Sequence, residues 1–236
     1  MALLVLPNTF GAAAANMAID ATLLATVPKN TALLRHYGWI EPSITFGYTQ
    51  VWADVQASFP DELRLCRRMT GGGIVDHRND WTYALILQAS LAAAQLQAPV
   101  IYEHVHSSLA AALEAQSIAS QFAPCPRHCQ QQSPSEPAHC FTQPVANDVL
   151  TPSGRKIAGA AMKRSRSGLL IQGSVDRTAL PDNFDSAAFA QAFSRHLSAR
   201  LDIPAGQCDD LRPLFDGKRI QQERSRYESC EWQQRR

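Results

Sequence analysis

The chain has 236 residues, of which 45% are apolar and 18% charged, a composition typical of a globular protein with a buried core. A formal net charge of +1 argues against a chain whose whole surface binds nucleic acid or an anionic membrane. No apolar run approaches the ~20 residues that a membrane-spanning helix needs, and no basic segment precedes the apolar N-terminus. We therefore expect a cytoplasmic protein whose six cysteines are mostly free thiols.

Hydrophobic periodicity predicts alternating strands and helices in the first half of the chain. We expect strands at 3–6, 31–37, 44–48, 74–76 and 82–88, and helices at 12–25 and 102–117. Residues 63–68 lead into a glycine run, and 90–97 form a short apolar segment.

The second half begins with a loop at 123–144 that contains five prolines. Strands are predicted at 145–150, 156–163 and 169–175, and a turn at Pro152, Ser153 and Gly154 makes the first two a hairpin. A helix follows at 186–201, and the charged tail at 211–236 is predicted to be partly helical. We find no repeat and no second domain, so residues 1–236 are expected to form a single α/β domain.

The run Gly71-Gly72-Gly73, preceded by Arg67, Arg68, Met69 and Thr70, is the segment on which a functional hypothesis depends. Three glycines cost backbone entropy on folding, so a chain keeps them where a Cβ would collide or where φ must be positive. Two interpretations are open: a hairpin turn with solvated arginines, or backbone that lies flat against a ligand. Neither of the common phosphate-binding glycine patterns is present.

Five stretches together resemble the lipoate–protein ligase and octanoyltransferase family, whose catalytic domain is shared with biotin–protein ligases. They are N-M-A-I-D at 16–20, R-H-Y-G-W-I-E-P-S-I-T-F-G-Y-T-Q at 35–50, R-R-M-T-G-G-G-I-V-D-H-R-N-D-W-T-Y at 67–83, N-D-V-L-T-P-S-G-R-K-I-A-G-A-A at 147–161 and R-Y-E-S-C-E-W at 226–232. The resemblance implies an α/β (α+β) fold of the class II synthetase/biotin ligase type, with a mixed, largely antiparallel central sheet flanked by helices.

The resemblance also implies a tunnel for an octanoyl or lipoyl chain. Its substrate-binding residues would be Arg68, Thr70, Gly71, Gly72, Gly73, His77, Gly159 and Ala160. Lys156 would contact the acyl carbonyl, where an ammonium group stabilises a developing oxyanion. Asp20, Asp80 and Tyr83 are expected to have structural roles.

Cys140, followed by Phe141, resembles the nucleophile position of one class of octanoyltransferase. The resemblance then implies transfer of octanoyl from acyl carrier protein, through a Cys140 thioester, to a lysine on a lipoyl domain of a 2-oxoacid dehydrogenase or on the glycine cleavage H protein. Such an enzyme needs no cofactor, and we expect a monomer that binds neither nucleic acid nor membrane. The alternative is a lipoate–protein ligase that uses ATP and Mg²⁺; biotin ligation is more distant.

Two features keep a non-enzymatic alternative open. Gln172 stands where the family often has a histidine, and a glutamine cannot take up a proton near neutral pH. In addition, five possible zinc ligands crowd the proline-rich loop, namely Cys125, His128, Cys129, His139 and Cys140. A degenerate member that binds acylated carrier proteins, or a zinc-stabilised scaffold, would have these features. If zinc bound Cys140, this thiol could not be a free nucleophile.

Overall fold

The computed structural model describes residues 1–60, 62–124 and 145–235, which form two β-sheets with helices packed around them. The strands in chain order are β1 (Ala2–Val5), β2 (Thr9–Gly11), β3 (Thr31–Trp39), β4 (Ser43–Phe46), β5 (Arg64–Arg67), β6 (Ile74–Asp76), β7 (Asp80–Gln88), β8 (Gln121–Phe122), β9 (Val149–Leu150), β10 (Lys156–Arg164) and β11 (Gly168–Asp176). The helices are α1 (Ala13–Thr26), α2 (Trp52–Ala57), α3 (Ala92–Gln95), α4 (Ala98–Glu114), α5 (Ser186–Leu201), α6 (Gly217–Glu228) and α7 (Cys230–Gln233).

The larger sheet is mixed, as the family resemblance implied. Its order is β1-β3-β7-β11-β10-β9-β8, with β2 beside β3. Strands β1 and β2 run parallel to β3, whereas the other neighbours are antiparallel. Strands β9 and β10 form the predicted hairpin, although the first of them covers only Val149–Leu150 rather than 145–150.

Helices cover both faces of this sheet because its central strands are apolar on both sides. In β7, Leu85 and Leu87 belong to the core shared with α4 and α5, whereas Ala84 and Ile86 belong to the core shared with α1 and α6. This alternation follows from the two-residue period of a strand. Among the described residues, no helix is both long and apolar enough to cross a membrane.

Local sequence signals explain which helices could be predicted. The prediction at 186–201 is confirmed in full. The helix begins at Ser186 because the Asp185 side chain caps it by accepting from the Ala187 and Ala188 amides. The prediction at 12–25 is confirmed within one residue at each end. Helix α4 begins four residues before the predicted start, with a proline in its first turn. The short helices α2 and α3 were not predicted.

The smaller sheet has the order β5-β4-β6, and its central strand β4 is buried throughout. Strand β4 pairs in parallel with β5 and antiparallel with β6. The glycine run therefore joins the two outer strands across the end of β4. The hairpin-turn interpretation of this run is wrong, because β5 and β6 do not pair with each other.

Candidate functional site

Main-chain hydrogen bonds from the segment after β4 hold the glycine run in place. The Gly47 amide donates to the Gly73 carbonyl (3.2 Å) and the Tyr48 amide donates to the Thr70 carbonyl (2.9 Å). A Cβ added to Gly47 would lie 1.9 Å from the Gly72 carbonyl oxygen, and Gly72 itself has a φ of +86°. Two glycines on different segments therefore allow one close backbone crossing, and the sequence analysis had assigned no role to Gly47.

Arg68 is buried and is hydrogen-bonded to the glycine run itself. Its Nη2 donates to the carbonyls of Gly71 (3.0 Å) and Gly73 (2.9 Å), and its Nη1 donates to Thr45 Oγ1 (2.7 Å). The guanidinium therefore holds the loop in shape from its buried side, because one side chain is hydrogen-bonded to two carbonyls of the glycine run and to Thr45 of β4.

His77 continues this buried polar chain. Its Nε2 lies 2.7 Å from Thr45 Oγ1 and its Nδ1 lies 2.6 Å from Asp80 Oδ2, and its ring stacks on Trp39 at 3.9 Å. Since the Asp80 carboxylate only accepts, Nδ1 of His77 carries the proton of that hydrogen bond. Asp80 also accepts from Thr82 (2.9 Å), so the predicted structural role of Asp80 includes orienting His77.

A narrow cavity, which we name the apolar cavity, lies between these side chains and the larger sheet. It encloses about 430 Å³ of space, including its opening to solvent, and its walls are mostly apolar. Four of the predicted substrate-binding residues line it: Arg68, His77, Gly159 and Ala160. The other lining residues include Met17, Tyr37, Trp39, Val75, Ala161 and Gln172. A narrow apolar cleft with a few polar groups is suited to an extended acyl chain.

Gln172 is buried in the wall of the apolar cavity and is hydrogen-bonded at both ends. Its Nε2 donates to Asp20 Oδ2 (2.8 Å), and its Oε1 accepts from Thr70 Oγ1 (2.8 Å). Asp20 is in turn fixed by Arg35 (2.7 Å) and by the Tyr37 hydroxyl (3.0 Å). Gln172 therefore links a buried ion pair to Thr70, the residue that precedes the glycines.

Lys156 forms a buried ion pair, which sequence reasoning missed. Its Nζ lies 2.7 Å from Asp148 Oδ2, and the side chains are 2% and 1% exposed. The same carboxylate accepts from the Val145 amide (2.7 Å). A Cβ added to Gly159 would lie 2.7 Å from Nζ, so a glycine is needed for the lysine to lie against β10. Asp148 stands within the stretch quoted for the family resemblance, but its residue type alone did not identify it.

A second cavity, the His106 cavity, lies beside β10 and has about 580 Å³ of space including its opening. Its walls include the predicted residues Gly71, Gly72 and Ala160, together with Tyr102, His106, Asp148, Ala161 and Met162. Ala160 and Ala161 line both cavities. Lys156 is paired with Asp148, which lines the His106 cavity, and it packs against Gly159, which lines the apolar cavity.

The predicted nucleophile Cys140 and the other four possible zinc ligands lie outside the described residues. Within the described ranges, three cysteines are free thiols. Cys66 is buried, and desolvation raises the pKa of its thiol to about 12, so it is not a thiolate nucleophile near neutral pH. No group of three or more His, Cys, Asp or Glu in those same ranges is arranged to hold a metal ion.

A family model and individual known proteins both relate this chain to lipoyl ligases and octanoyltransferases. Residues 12–198 match the family described as lipoyl protein ligase A/B catalytic domain. The chain is 31% identical over 175 residues to octanoyltransferase LipM of Oceanobacillus iheyensis, covering 72% of this chain and 62% of that protein. It is 29% identical over 171 residues to octanoyltransferase LipM of Kyrpidia tusciae, covering 70% and 62%. The matches thus span less than two thirds of these relatives' length.

Solved structures share the fold over nearly the whole chain. A lipoate–protein ligase A bound with ATP superposes with a TM-score of 0.74 at 17% identity, covering 99% of this chain and 98% of that one. A bipartite lipoate–protein ligase of Thermoplasma acidophilum, studied with its E2 lipoyl domain, superposes with a TM-score of 0.72 at 18% identity, covering 99% and 96%. At such identities these likenesses establish the fold alone.

Proposed function

Because the chain belongs to the lipoyl protein ligase A/B catalytic domain family, we propose that it is an octanoyltransferase acting in protein lipoylation. The octanoyl group would come from acyl carrier protein, pass through a thioester on Cys140 and end on a lysine of a lipoyl domain. The acceptor would be a 2-oxoacid dehydrogenase or the glycine cleavage H protein. As a transferase, the protein needs neither ATP nor Mg²⁺, and it acts as a monomer.

The observation that carries this proposal is the packing of the Lys156 side chain against Gly159, a residue that lines the apolar cavity. An octanoyl chain in that cavity would run past the small residues of β10, close to a buried ammonium group. Arg68 and His77 would flank the chain, and Thr70 with the three glycines would form the rim. The buried lysine then stabilises the oxyanion that develops on the acyl carbonyl, in a site where water competes weakly.

The proposed reaction has two thioester steps that balance without an energy source. The Cys140 thiolate attacks the carbonyl carbon of the octanoyl thioester, the new C–S bond forms, and the carrier's sulfur leaves as a thiolate that takes up a proton. The acceptor amine then attacks the same carbon, a C–N bond forms, and Cys140 leaves as the thiol after the amine's proton is transferred. Exchange between thioesters is nearly isoenergetic, which is why activation by ATP is unnecessary.

Intact-mass analysis after incubation with octanoyl–acyl carrier protein tests the proposal. We expect one octanoyl adduct on the wild-type protein, none on Cys140→Ala, and an undiminished adduct on Cys230→Ala, which removes an exposed thiol. Addition of a lipoyl domain should move the adduct onto its lysine without ATP. A Cys140→Ala protein that transfers at the wild-type rate would contradict the thioester.

The same assay separates the alternatives. Free octanoate or lipoate with ATP and Mg²⁺ replaces the carrier thioester in a parallel reaction, and acylation that occurs only there, with release of pyrophosphate, identifies a ligase. Stoichiometric zinc in the purified protein, together with no acylation in either arm, identifies a non-enzymatic scaffold.

A further inference from the structure

Three cations and two aromatic rings alternate beside α7. We name this set the cationic ladder; its members, in order of contact, are Arg226, Trp232, Arg235, Tyr48 and Lys163. The guanidinium carbons of Arg226 and Arg235 lie 4.4 and 5.0 Å from the centroid of the Trp232 ring system. Arg235 also lies 4.4 Å from the Tyr48 ring centroid, and Lys163 Nζ lies 5.6 Å from that centroid. The rings therefore hold three positive charges close together.

Two of these charges have no acidic partner. Arg226 pairs with Glu223 at 2.6 Å. Lys163 and Arg235 are exposed, and neither forms a salt bridge within the part of the chain that the structure describes. Two like charges at one ring repel each other, and an anion bound between them would relieve that repulsion. This end of the ladder is therefore suited to a negatively charged group.

The ladder reaches the wall of the apolar cavity through β10. Lys163 lies on the same face of this strand as Gly159 and Ala161, because side chains two residues apart in a strand point the same way. Both of those residues line the apolar cavity. A Cβ added to Gly72 would lie 3.3 Å from the Cβ of Ala161, so the glycine run touches β10 two residues before Lys163.

Tyr48 joins the ladder to the glycine run from the other side. Its amide donates to the Thr70 carbonyl (2.9 Å), one residue before the first glycine. An anion held at the Tyr48 ring would therefore lie beside the glycine run. A strand rises about 3.3 Å per residue, which puts Lys163 about 13 Å along β10 from Gly159. An anion at the ladder and an acyl carbonyl beside Gly159 must then belong to one ligand with a spacer between them.

We propose that the cationic ladder binds the phosphate group of the acyl donor, through Lys163 and Arg235. The inference rests on the proposed function and deepens it. An acyl carrier protein presents its thioester at the end of a phosphopantetheine arm, and coenzyme A has the same arm. In both, a spacer with two amide groups separates the thioester sulfur from a phosphate ester. A guanidinium fork and an ammonium group both bind phosphate oxygens, so the arm offers the anion, the spacer and the acyl group in the required order.

Ligands that cannot react test the phosphate site directly. S-octyl-4′-phosphopantetheine is a thioether without a carbonyl, so the protein cannot consume it. S-octyl-pantetheine differs from it only in lacking the phosphate. Isothermal titration calorimetry compares their affinities. We expect the wild-type protein to bind the phosphate-bearing thioether about tenfold more tightly, because its phosphate accepts charge-assisted hydrogen bonds.

Three substitutions at the ladder and one control locate the effect. Lys163→Gln and Arg235→Gln should each lose most of the tenfold preference, and the double variant should lose all of it. Affinity for S-octyl-pantetheine should stay within about twofold of wild type, since that ligand has no charge for the ladder to bind. Lys163→Arg keeps the charge and should keep the preference. Arg200→Gln removes an exposed cation on α5, across the larger sheet from Tyr48 and Trp232, and should change neither affinity.

S-octyl acyl carrier protein and S-octyl coenzyme A distinguish the two sources of the arm. Weaker binding of either one by the double variant supports the phosphate site and identifies that carrier as a donor.

Equal affinity of the wild-type protein for the two thioethers, or an unchanged preference in the folded double variant, overturns the inference and leaves the octanoyltransferase proposal intact. The same holds if ATP loses affinity in the double variant while the two thioethers bind equally, because the ladder would then serve nucleotide phosphates. Failure of the wild-type protein to bind either thioether also overturns the inference. Only if octanoyl transfer is absent as well does the proposed function fail with it.

Discussion

Gln172 connects an acceptor, the Asp20 carboxylate, to a donor, the Thr70 hydroxyl. Arg35 and Tyr37 hold Asp20 in place. Asp20 can only accept, so the amide nitrogen of Gln172 faces it and the amide oxygen faces the Thr70 hydroxyl. A neutral histidine could make the same donor–acceptor bridge, but it would also titrate. The glutamine at this position therefore provides the positioning without any dependence on pH, and the site retains His77 and His106 as its buried imidazoles.

Gln172→Glu should introduce such a dependence. The new carboxyl group would be buried and would face Asp20, so both desolvation and like charge would raise its pKa above the ~4.3 of an unfolded chain. A raised pKa means that the folded state binds the proton more tightly than the unfolded state does. The stability of the variant therefore falls as pH rises from the ~4.3 of the unfolded chain through the higher pKa of the folded state. We expect the free energy of unfolding to fall by about 1–3 kcal/mol at pH 7.5 and to recover toward pH 5.

Urea unfolding at several pH values measures this change. Gln172→Leu serves as the control, because it removes the same hydrogen bonds without adding a titratable group. Its loss of stability relative to wild type should be the same at pH 5 and pH 7.5. A deficit in Gln172→Glu that did not vary with pH would contradict a contact between this side chain and Asp20.

At the scale of elements, the loop between β5 and β6 depends on its contact with the segment after β4. Gly47→Ala would place a methyl group 1.9 Å from the Gly72 carbonyl oxygen, so the two segments must move apart. Gly71→Ala meets nothing within 4 Å and serves as the matched substitution. We expect Gly47→Ala to lower the free energy of unfolding by about 2 kcal/mol or more and to abolish acyl transfer. Gly71→Ala should leave stability unchanged or raise it by about 0.5 kcal/mol.

Thermal unfolding monitored by circular dichroism, with the acylation assay in parallel, distinguishes these two variants. If Gly47→Ala and Gly71→Ala lowered the free energy of unfolding by the same amount, the loss would come from replacing a flexible glycine and not from the close crossing of Gly47 and Gly72.

The sequence predicted most regular elements but few of the contacts that build the site. Helix α5 was predictable because its cap and its apolar stripe are local. Lys156 was identified through its motif, yet its partner Asp148 was not, since pairing depends on how the β9–β10 hairpin is closed. The contacts of Gln172 with Thr70 and Asp20 span 102 and 152 residues, and no local pattern records such distances. Whether the glycine run was a hairpin turn depended on the strand order of the smaller sheet, which is also non-local.

At the scale of the whole molecule, helix α7 covers the outer edge of β5. Gln233 Oε1 accepts from the Arg67 amide (2.8 Å), and the Gln233 carbonyl accepts from Arg67 Nε (3.0 Å). Trp232 Nε1 donates to the Arg67 carbonyl (2.9 Å). Helix α7 therefore covers the edge of β5 that would otherwise expose main-chain groups. The amide and the carbonyl of Arg67, the residue before Arg68, both have hydrogen-bond partners in α7.

Gln233→Ala should therefore weaken the site from a distance. The Arg67 amide would lose its acceptor while partly buried, which costs about 1–3 kcal/mol of unfolding free energy. Amide hydrogen exchange should become faster in β5 and in the glycine run. Gln234→Ala alters the adjacent, exposed side chain and should have no effect on either measurement; equal effects from both substitutions would mean that α7 does not brace β5 through Gln233.

The brace by α7 also imposes an order on biosynthesis. Arg67 and Gln233 are 166 residues apart, so a ribosome that adds about 5–20 residues per second completes the second roughly 8–33 s after the first. During that interval the edge of β5 has neither its side-chain acceptor nor the tryptophan that covers it. The glycine run therefore attains its final support only after Gln233 has been added, and a nascent chain interrupted before Trp232 would carry every glycine of the run without the segment that braces it.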